Sequence, residues 1–345
     1  MEETKLKVSS DRKRDIGYDH IRFVATIMII VHHFRAVLLT SGLPHPQFLS
    51  LISERGTIST GGIGVAMFFM LSGAMMLHTT GDDFHPLSFY RKRLIRIWIP
   101  QWIGFIAAFL VNMIFNPYLF NFKPTELLIA FLGLNYAHEF WGQFGLNMPY
   151  IFGEWYTAVI ILLYLVYPLL RWLFRHQRLL GTLIISAIFV VNLGLGFLTY
   201  SGGWFSISNG IMYFWLGMLF EAYKDYLNNK IVICVGAASL LFLIWSPLTL
   251  FGNPILPTFV FSIGLFIVLH HIKFSCRFSR YVCKHSYEIY LTHHHVFIIL
   301  MPLMLTAYST GLQLFLALIA FTGLTFLVSE VLQKASNKVS SLIRF

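Results

Sequence analysis

RFVATIMIIVHHF, residues 22–34, places one arginine and two adjacent histidines inside a run that otherwise has the apolarity of a membrane-buried helix. An ionisable side chain in hydrocarbon is costly to desolvate, so such residues mark a functional site or face a polar interior. Upstream lies a basic head, Lys5, Lys7, Arg12, Lys13 and Arg14, of the kind that precedes a signal peptide. The run itself carries Arg22, His32 and His33 and has no small-residue cleavage site, so it is read as a retained helix.

Composition agrees with that reading. Of 345 residues, 57% are hydrophobic and 12% charged, and the mean hydropathy is +0.70, far from the balance of a soluble domain. The expectation is an all-α integral membrane protein. Apolar stretches of about 20 residues, enough to span, lie near 17–39, 60–78, 93–115, 152–172, 179–199, 206–222, 231–249, 255–271, 286–304 and 311–333. TELLIAFLGL (125–134) is too short to cross and is expected at the interface or as a re-entrant segment.

A net charge of +10 could suggest a nucleic-acid partner, but in a membrane protein the placement of Lys and Arg carries the information. With ten spans, the N-terminal tail, RKRLIR (91–96), RWLFRHQR (171–178), EAYKDYLNNK (221–230), the 273–284 segment and the C-terminal tail all fall on one face. Counting the short stretch as a span would break this pattern. The positive-inside rule makes that face, and both termini, cytoplasmic. Arg55 and Lys123 fall in outer loops and Arg35 near the outer end of the first span. The expected organisation is a cytoplasmic tail (1–16), one transmembrane domain (17–335) with an outer loop at 116–151, and a second cytoplasmic tail (336–345). That outer loop, with NYAHEFWGQFGLNMPY, suits aromatic anchoring at the interface or a surface that binds glycan or lipid headgroups.

Three cysteines, Cys234, Cys276 and Cys283, are too few for a disulfide framework. The triplet HHH (293–295) cannot converge on one ion, because consecutive helical residues point about 100° apart. No metal-ligand spacing, sequence repeat or phosphate-cradling glycine loop is present.

The polar residues of the spans remain. Arg22 and His33 are eleven residues apart, so they share a helical face about 16 Å apart. Asp19, three residues before Arg22, can pair with it, whereas His32 points elsewhere. A histidine in a polar cavity can act as a general base, since its ordinary pKa is near neutrality; a histidine hydrogen-bonded between helices for packing is the other reading. In GGIGVAMFFMLSGAMM (61–76), Gly62, Ala66 and Gly73 permit close helix approach, and Ser72 offers a hydroxyl. FYRKRLIRIWIP (89–100) puts Arg93 and Arg96 on one face, with Arg91 nearby, where guanidinium groups could clamp phosphates. Glu154 opens the fourth span, and in HSYEIYLTHHHVF (285–297) Ser286, Tyr290, His293 and Phe297 form a stripe at helical spacing, with Glu288 and His295 on another.

Together these stretches resemble the membrane acyltransferase-3 family, bacterial transmembrane enzymes that O-acylate surface glycans. The family's D-x-x-R and R-x10-H fall on Asp19, Arg22 and His33, and its G-V-x-x-F-F-x-x-S-G on GVAMFFMLSG. Its R-x-x-R falls on Arg93 and Arg96, and its S-Y-x-x-Y-L-x-H on Ser286, Tyr287, Tyr290, Leu291 and His293. One feature departs from the pattern: where many members carry a glutamate five residues after the tryptophan, Trp155 is followed by Ile160, and Glu154 lies at a different place and direction. The soluble esterase-like domain of some relatives does not follow the last span, so a second transfer step is expected to need another protein.

The resemblance implies that acyl-CoA, most simply acetyl-CoA, is a co-substrate rather than a tightly bound cofactor. Its phosphates would be held at the inner face by Arg93 and Arg96 with help from Arg91. His33 would deprotonate a hydroxyl of a surface glycan or lipid-linked saccharide, oriented by Arg22 and Asp19, with Glu154 a further candidate. Ser72, Ser286, Tyr290 and His293 would line the cavity. An acyl-histidine intermediate is the variant mechanism. A proton-coupled transporter or exporter of a glycan intermediate is the reading from another class; against it, no duplicated half with interrupted spans is seen. The acceptor, the acyl group and any homo-oligomeric state stay open.

Overall fold

The computed structural model describes residues 15–44, 49, 54–55, 58–81, 84–115, 123–134, 155–195, 207–245, 255–272 and 275–343. Within these, the chain is all-α apart from a two-residue hairpin, β1 (Glu54–Arg55) and β2 (Ile58–Ser59), paired antiparallel. The helices are α1 (Ile16–Thr40), α2 (Thr60–Thr79), α3 (Pro86–Phe115), α4 (Pro124–Phe131), α5 (Trp155–His176), α6 (Arg178–Leu195), α7 (Ile207–Tyr223), α8 (Asn229–Trp245), α9 (Ile255–His271), α10 (Arg277–Met304) and α11 (Gly311–Ile343).

The described residues of each expected apolar stretch lie on one of these helices, and the short stretch at 125–134 is the eight-residue α4 and its C-terminal turn. Five helices, α1, α2, α3, α5 and α11, are long and apolar enough by length and composition to cross a membrane. Three boundaries differ from the apolar runs. α3 begins at Pro86, α10 begins at Arg277, and α11 continues to Ile343, through most of the segment expected as a tail. α10 can start in polar sequence because its first turn is capped: the Cys276 sulfur accepts from the Ser279 amide at 3.3 Å, and Ser279 Oγ accepts from the Cys276 amide at 3.1 Å.

α2 runs between α1 and α7, and small residues bring their backbones together. A Cβ at Gly73 would overlap the Phe214 carbonyl, and one at Gly217 would overlap the Met70 carbonyl. On the other face, a Cβ at Gly64 would crowd Ile29 and the Ala25 carbonyl. Without water to drive association, such close van der Waals packing is what holds helices together in lipid. The interior is filled by Met67, Met70, Phe214, Trp215 and Tyr167, and a second apolar cluster, with Phe34, Val282, Phe297 and Phe321, joins α1, α10 and α11.

α11 shows how the outer surface is made. Leu314, Phe321, Thr325 and Ser329 are buried, whereas Leu312, Phe315, Leu316, Leu327 and Val331 are exposed. A continuous exposed apolar face of this kind suits lipid. Its buried hydroxyls are satisfied across the helix pair: Thr292 and Ser329 hydrogen-bond at 2.9 Å, and Ser329 Oγ donates to the Thr325 carbonyl at 2.6 Å.

Candidate active site

One end of the bundle collects the charged groups. Glu221 of α7 accepts from the Tyr18 hydroxyl of α1, from His78 Nδ1 of α2 at 2.7 Å and from Lys224 Nζ at 3.0 Å. Asp15, whose Oδ1 caps α1 through the Gly17 amide, uses Oδ2 to meet Lys224 Nζ at 3.0 Å and His270 Nε2 of α9 at 3.2 Å. Burial alone would raise the Asp15 carboxyl; the hydrogen bonds from His270 and Lys224 outweigh it and hold the group far below the usual carboxylate range. For Lys224, burial works against the charge, and Glu221 with Asp15 outweighs it, so its pKa is raised. This network ties the ends of α1, α2, α7 and α9 into one plate. It was not visible in the sequence, where its members read as separate polar groups at helix ends.

At the same end, Arg93 Nη2 donates to Thr79 Oγ1 at the last turn of α2, 3.1 Å away, with its guanidinium 6.0 Å from the Phe89 ring. Arg93 is partly buried, whereas Arg91 and Arg96 are exposed. The two arginines of R-x-x-R therefore stand at the same mouth in different surroundings.

From there α1 carries a polar face towards the opposite end. Asp19 Oδ1 lies 3.5 Å from Arg22 Nη1. One turn on, Thr26 Oγ1 donates to the Arg22 carbonyl at 2.8 Å. Thr26, Ile29 and Ile30 then line a narrow pocket of about 10 Å³, room for about one water, whose other wall is Phe68 with Ser286, Ile289, Tyr290 and His293 of α10. Ser286, Tyr290 and His293 thus share one pocket with Thr26, one turn beyond Arg22 on α1.

The pocket ends at a pair of histidines. His33 Nδ1 and His293 Nε2 are 2.7 Å apart, and His293 is completely buried, its Nδ1 within 2.7 Å of the Tyr290 carbonyl and 3.0 Å of the Ile289 carbonyl. His294 also stacks on His33, ring centroids 4.9 Å apart at 12°. His32, on the same turn as His33, packs against Gly61 of α2. The stack of His294 on His33 is not legible in the sequence, where His294 figures only within the HHH triplet; among the described residues no group of three or more His, Cys, Asp or Glu could hold a metal.

Ser72 is not among the cavity-lining residues. Its neighbour in the fold is Tyr156, whose ring meets Tyr290 at 5.1 Å and Phe68 at 6.1 Å. Ile160, at the place where many relatives carry a glutamate, is buried in the apolar core. Glu154 lies outside the described residues, as does much of the outer loop at 116–151.

Comparison with curated proteins and with solved structures finds no match. A family model described as an acyltransferase domain, that of the acyltransferase-3 family, matches residues 15–333. That span runs from the cap of α1 into α11 and includes Asp19, Arg22, His33, His293 and His294. The chain belongs to the acyltransferase-3 family and is a membrane acyltransferase.

Proposed function

We propose that the protein is an O-acyltransferase that moves an acyl group, most simply acetyl, from cytoplasmic acyl-CoA to a hydroxyl of an extracytoplasmic or lipid-linked glycan. The observation that carries this reading is the junction of His33 with His293, 2.7 Å apart, where His293 lines a pocket with Thr26 on the α1 face that also carries Arg22, paired with Asp19. A base held past the middle of the bundle can meet a donor arm from one side and an acceptor from the other.

In this reading all ten long helices span the plasma membrane with both termini in the cytoplasm, and the charged end of the bundle faces inwards. Arg93 and Arg96, with Arg91, hold the phosphates of the donor, for which guanidinium groups are suited by their fork of donors. The thioester arm enters between α1 and α10, where Thr26, Ser286 and Tyr290 offer hydroxyls. His33 takes the proton from the acceptor hydroxyl as its oxygen attacks the thioester carbonyl. Arg22, held by Asp19, lies about 16 Å along the same face of α1 and acts on His33 through the polar network of that face, not by contact.

The test uses membranes with equal amounts of wild-type or His33→Ala protein, acetyl-CoA labelled in the acetyl group and the host's envelope glycans. Alkali-labile label in the glycan fraction with wild type alone is the expected result. Label with neither protein, alongside a working family enzyme, refutes acetyl transfer to these acceptors and favours a carrier or another donor.

A further inference from the structure

We infer that His293 is the positioning residue that decides which nitrogen of His33 acts as the base, and that it takes up the proton His33 removes; the inference rests on the transferase reading above. The argument starts from hydrogen bonds that have only one sense. His293 Nδ1 lies 2.7 Å from the Tyr290 carbonyl and 3.0 Å from the Ile289 carbonyl. Carbonyl oxygens only accept, so Nδ1 carries the hydrogen, and a neutral His293 has its lone pair on Nε2. That lone pair faces His33 Nδ1 at 2.7 Å. The contact needs one hydrogen, which His33 Nδ1 supplies. The tautomer of His33 assigned by this network has its own lone pair on Nε2, across the ring from His293.

A second constraint keeps that arrangement in place. The His294 ring stacks on His33 at 4.9 Å and 12°, and the His32 ring stands edge to face at 5.2 Å. The stack fixes the plane of the His33 imidazole, and turning the ring over within that plane would put Cδ2 where Nδ1 stands and break the short bond to His293. Among the groups facing His33 are His32 on its own helix and His293 and His294 on α10. In serine hydrolases a carboxylate orients the histidine in the same way; here a neutral imidazole does so, without placing an anion in a low-dielectric interior.

The proton count closes. The acceptor oxygen forms the new C–O bond and its proton goes to His33 Nε2. The His33 Nδ1 hydrogen then moves to His293 Nε2, which leaves His33 neutral and His293 cationic, its Nδ1–H still on the backbone carbonyls. As the C–S bond breaks, the thiolate takes the proton from His33 Nε2 and the hydrogen returns from His293 to His33 Nδ1. No net proton is consumed.

The test reads the full-length protein in lipid vesicles by imidazole 15N NMR, with the His33 signals identified by their loss in His33→Gln. Wild type is expected to show His33 protonated at Nδ1 and bare at Nε2. His293→Ala is expected to shift signal to the Nε2–H tautomer and to lower kcat about 100-fold or more, the scale of general-base catalysis, with the acyl-CoA KM within about twofold. His293→Gln, whose Oε1 can accept the same hydrogen but cannot relay it, is expected to keep the tautomer and recover part of kcat. A wild-type His33 protonated at Nε2 overturns the inference whether or not transfer occurs. So does a normal kcat in His293→Ala, or an equal loss in the Ala and Gln variants at normal protein levels. Wild type with the expected tautomer but no transfer upholds the tautomer and overturns the transfer chemistry instead.

Discussion

His32 and His33 leave the same turn of α1 for different partners: His32 packs on Gly61 of α2, and His33 meets His293 of α10 at 2.7 Å. Only the second lies at the pocket that the Arg22 face leads to. His33→Ala is therefore expected to abolish glycan acylation, a loss of about 10²-fold or more, while His32→Ala costs less than about tenfold. Both variants are scored per amount of inserted protein. Equal losses would show that the two faces of α1 are not functionally distinct.

The end of the bundle proposed to hold the donor makes a separate prediction. Arg93 is partly buried and hydrogen-bonded to Thr79 at 3.1 Å, and Arg96 is exposed at the same mouth. Removing a guanidinium that binds phosphate costs about 1.5–3 kcal/mol, the range for hydrogen bonds to charged groups, or roughly 10- to 150-fold in affinity. Arg93→Ala and Arg96→Ala should each raise the acyl-CoA KM by about tenfold or more with a smaller change in kcat. An unchanged dependence on acyl-CoA concentration would remove them from the donor site.

Acid should loosen the charged plate before it affects the interior. The Asp15 carboxyl, held far below its usual range by His270 and Lys224, is a group whose folded pKa is depressed. Its stabilisation is fully present above the unfolded value of about 3.9 and is lost as pH falls below that towards the folded value. Asp15→Asn should lower stability at neutral pH by about 1–3 kcal/mol and flatten the fall between about pH 4 and pH 2. Thermal unfolding in detergent micelles over that range measures it; parallel acid branches in wild type and variant would show that Asp15 does not carry this pH dependence.

The parts of this fold that were legible in the sequence are those with a local cause. The long helices were legible because a run of about 20 apolar residues is a local property of the chain whatever it packs against. Asp19 with Arg22, and Ser286 with Tyr290 and His293, were placed correctly because helical spacing alone sets which residues share a face. The start of α10 at Arg277 was not legible, since its first turns are polar and rest on the Cys276 and Ser279 cap. The contacts that make the site were not legible either. His33 and His293 are 260 residues apart, and Glu221 with His78 joins helices 143 residues apart. Such pairs depend on which helices become neighbours, and periodicity within one helix carries no trace of that.

The close approach of α2 and α7 can be tested by two glycines with opposite expectations. Gly217 of α7 faces the Met70 carbonyl, and an added Cβ would overlap that backbone atom, which has no rotamer to escape into. Gly217→Ala must push the two helices apart, at a cost of about 1–3 kcal/mol or more for overpacking. Gly323, within α11, has open space where its Cβ would go. Gly323→Ala meets no such penalty and gains helix propensity, up to about 1 kcal/mol. Unfolding in detergent should therefore show Gly217→Ala melting below wild type and Gly323→Ala at or above it. Because α2 also carries the Gly61 and Gly64 contacts with α1, a displaced α2 would disturb the turn that bears His32 and His33. Gly217→Ala should accordingly lose acyl transfer in step with stability, and a variant as stable and active as wild type would mean that the two helices do not touch through their backbones.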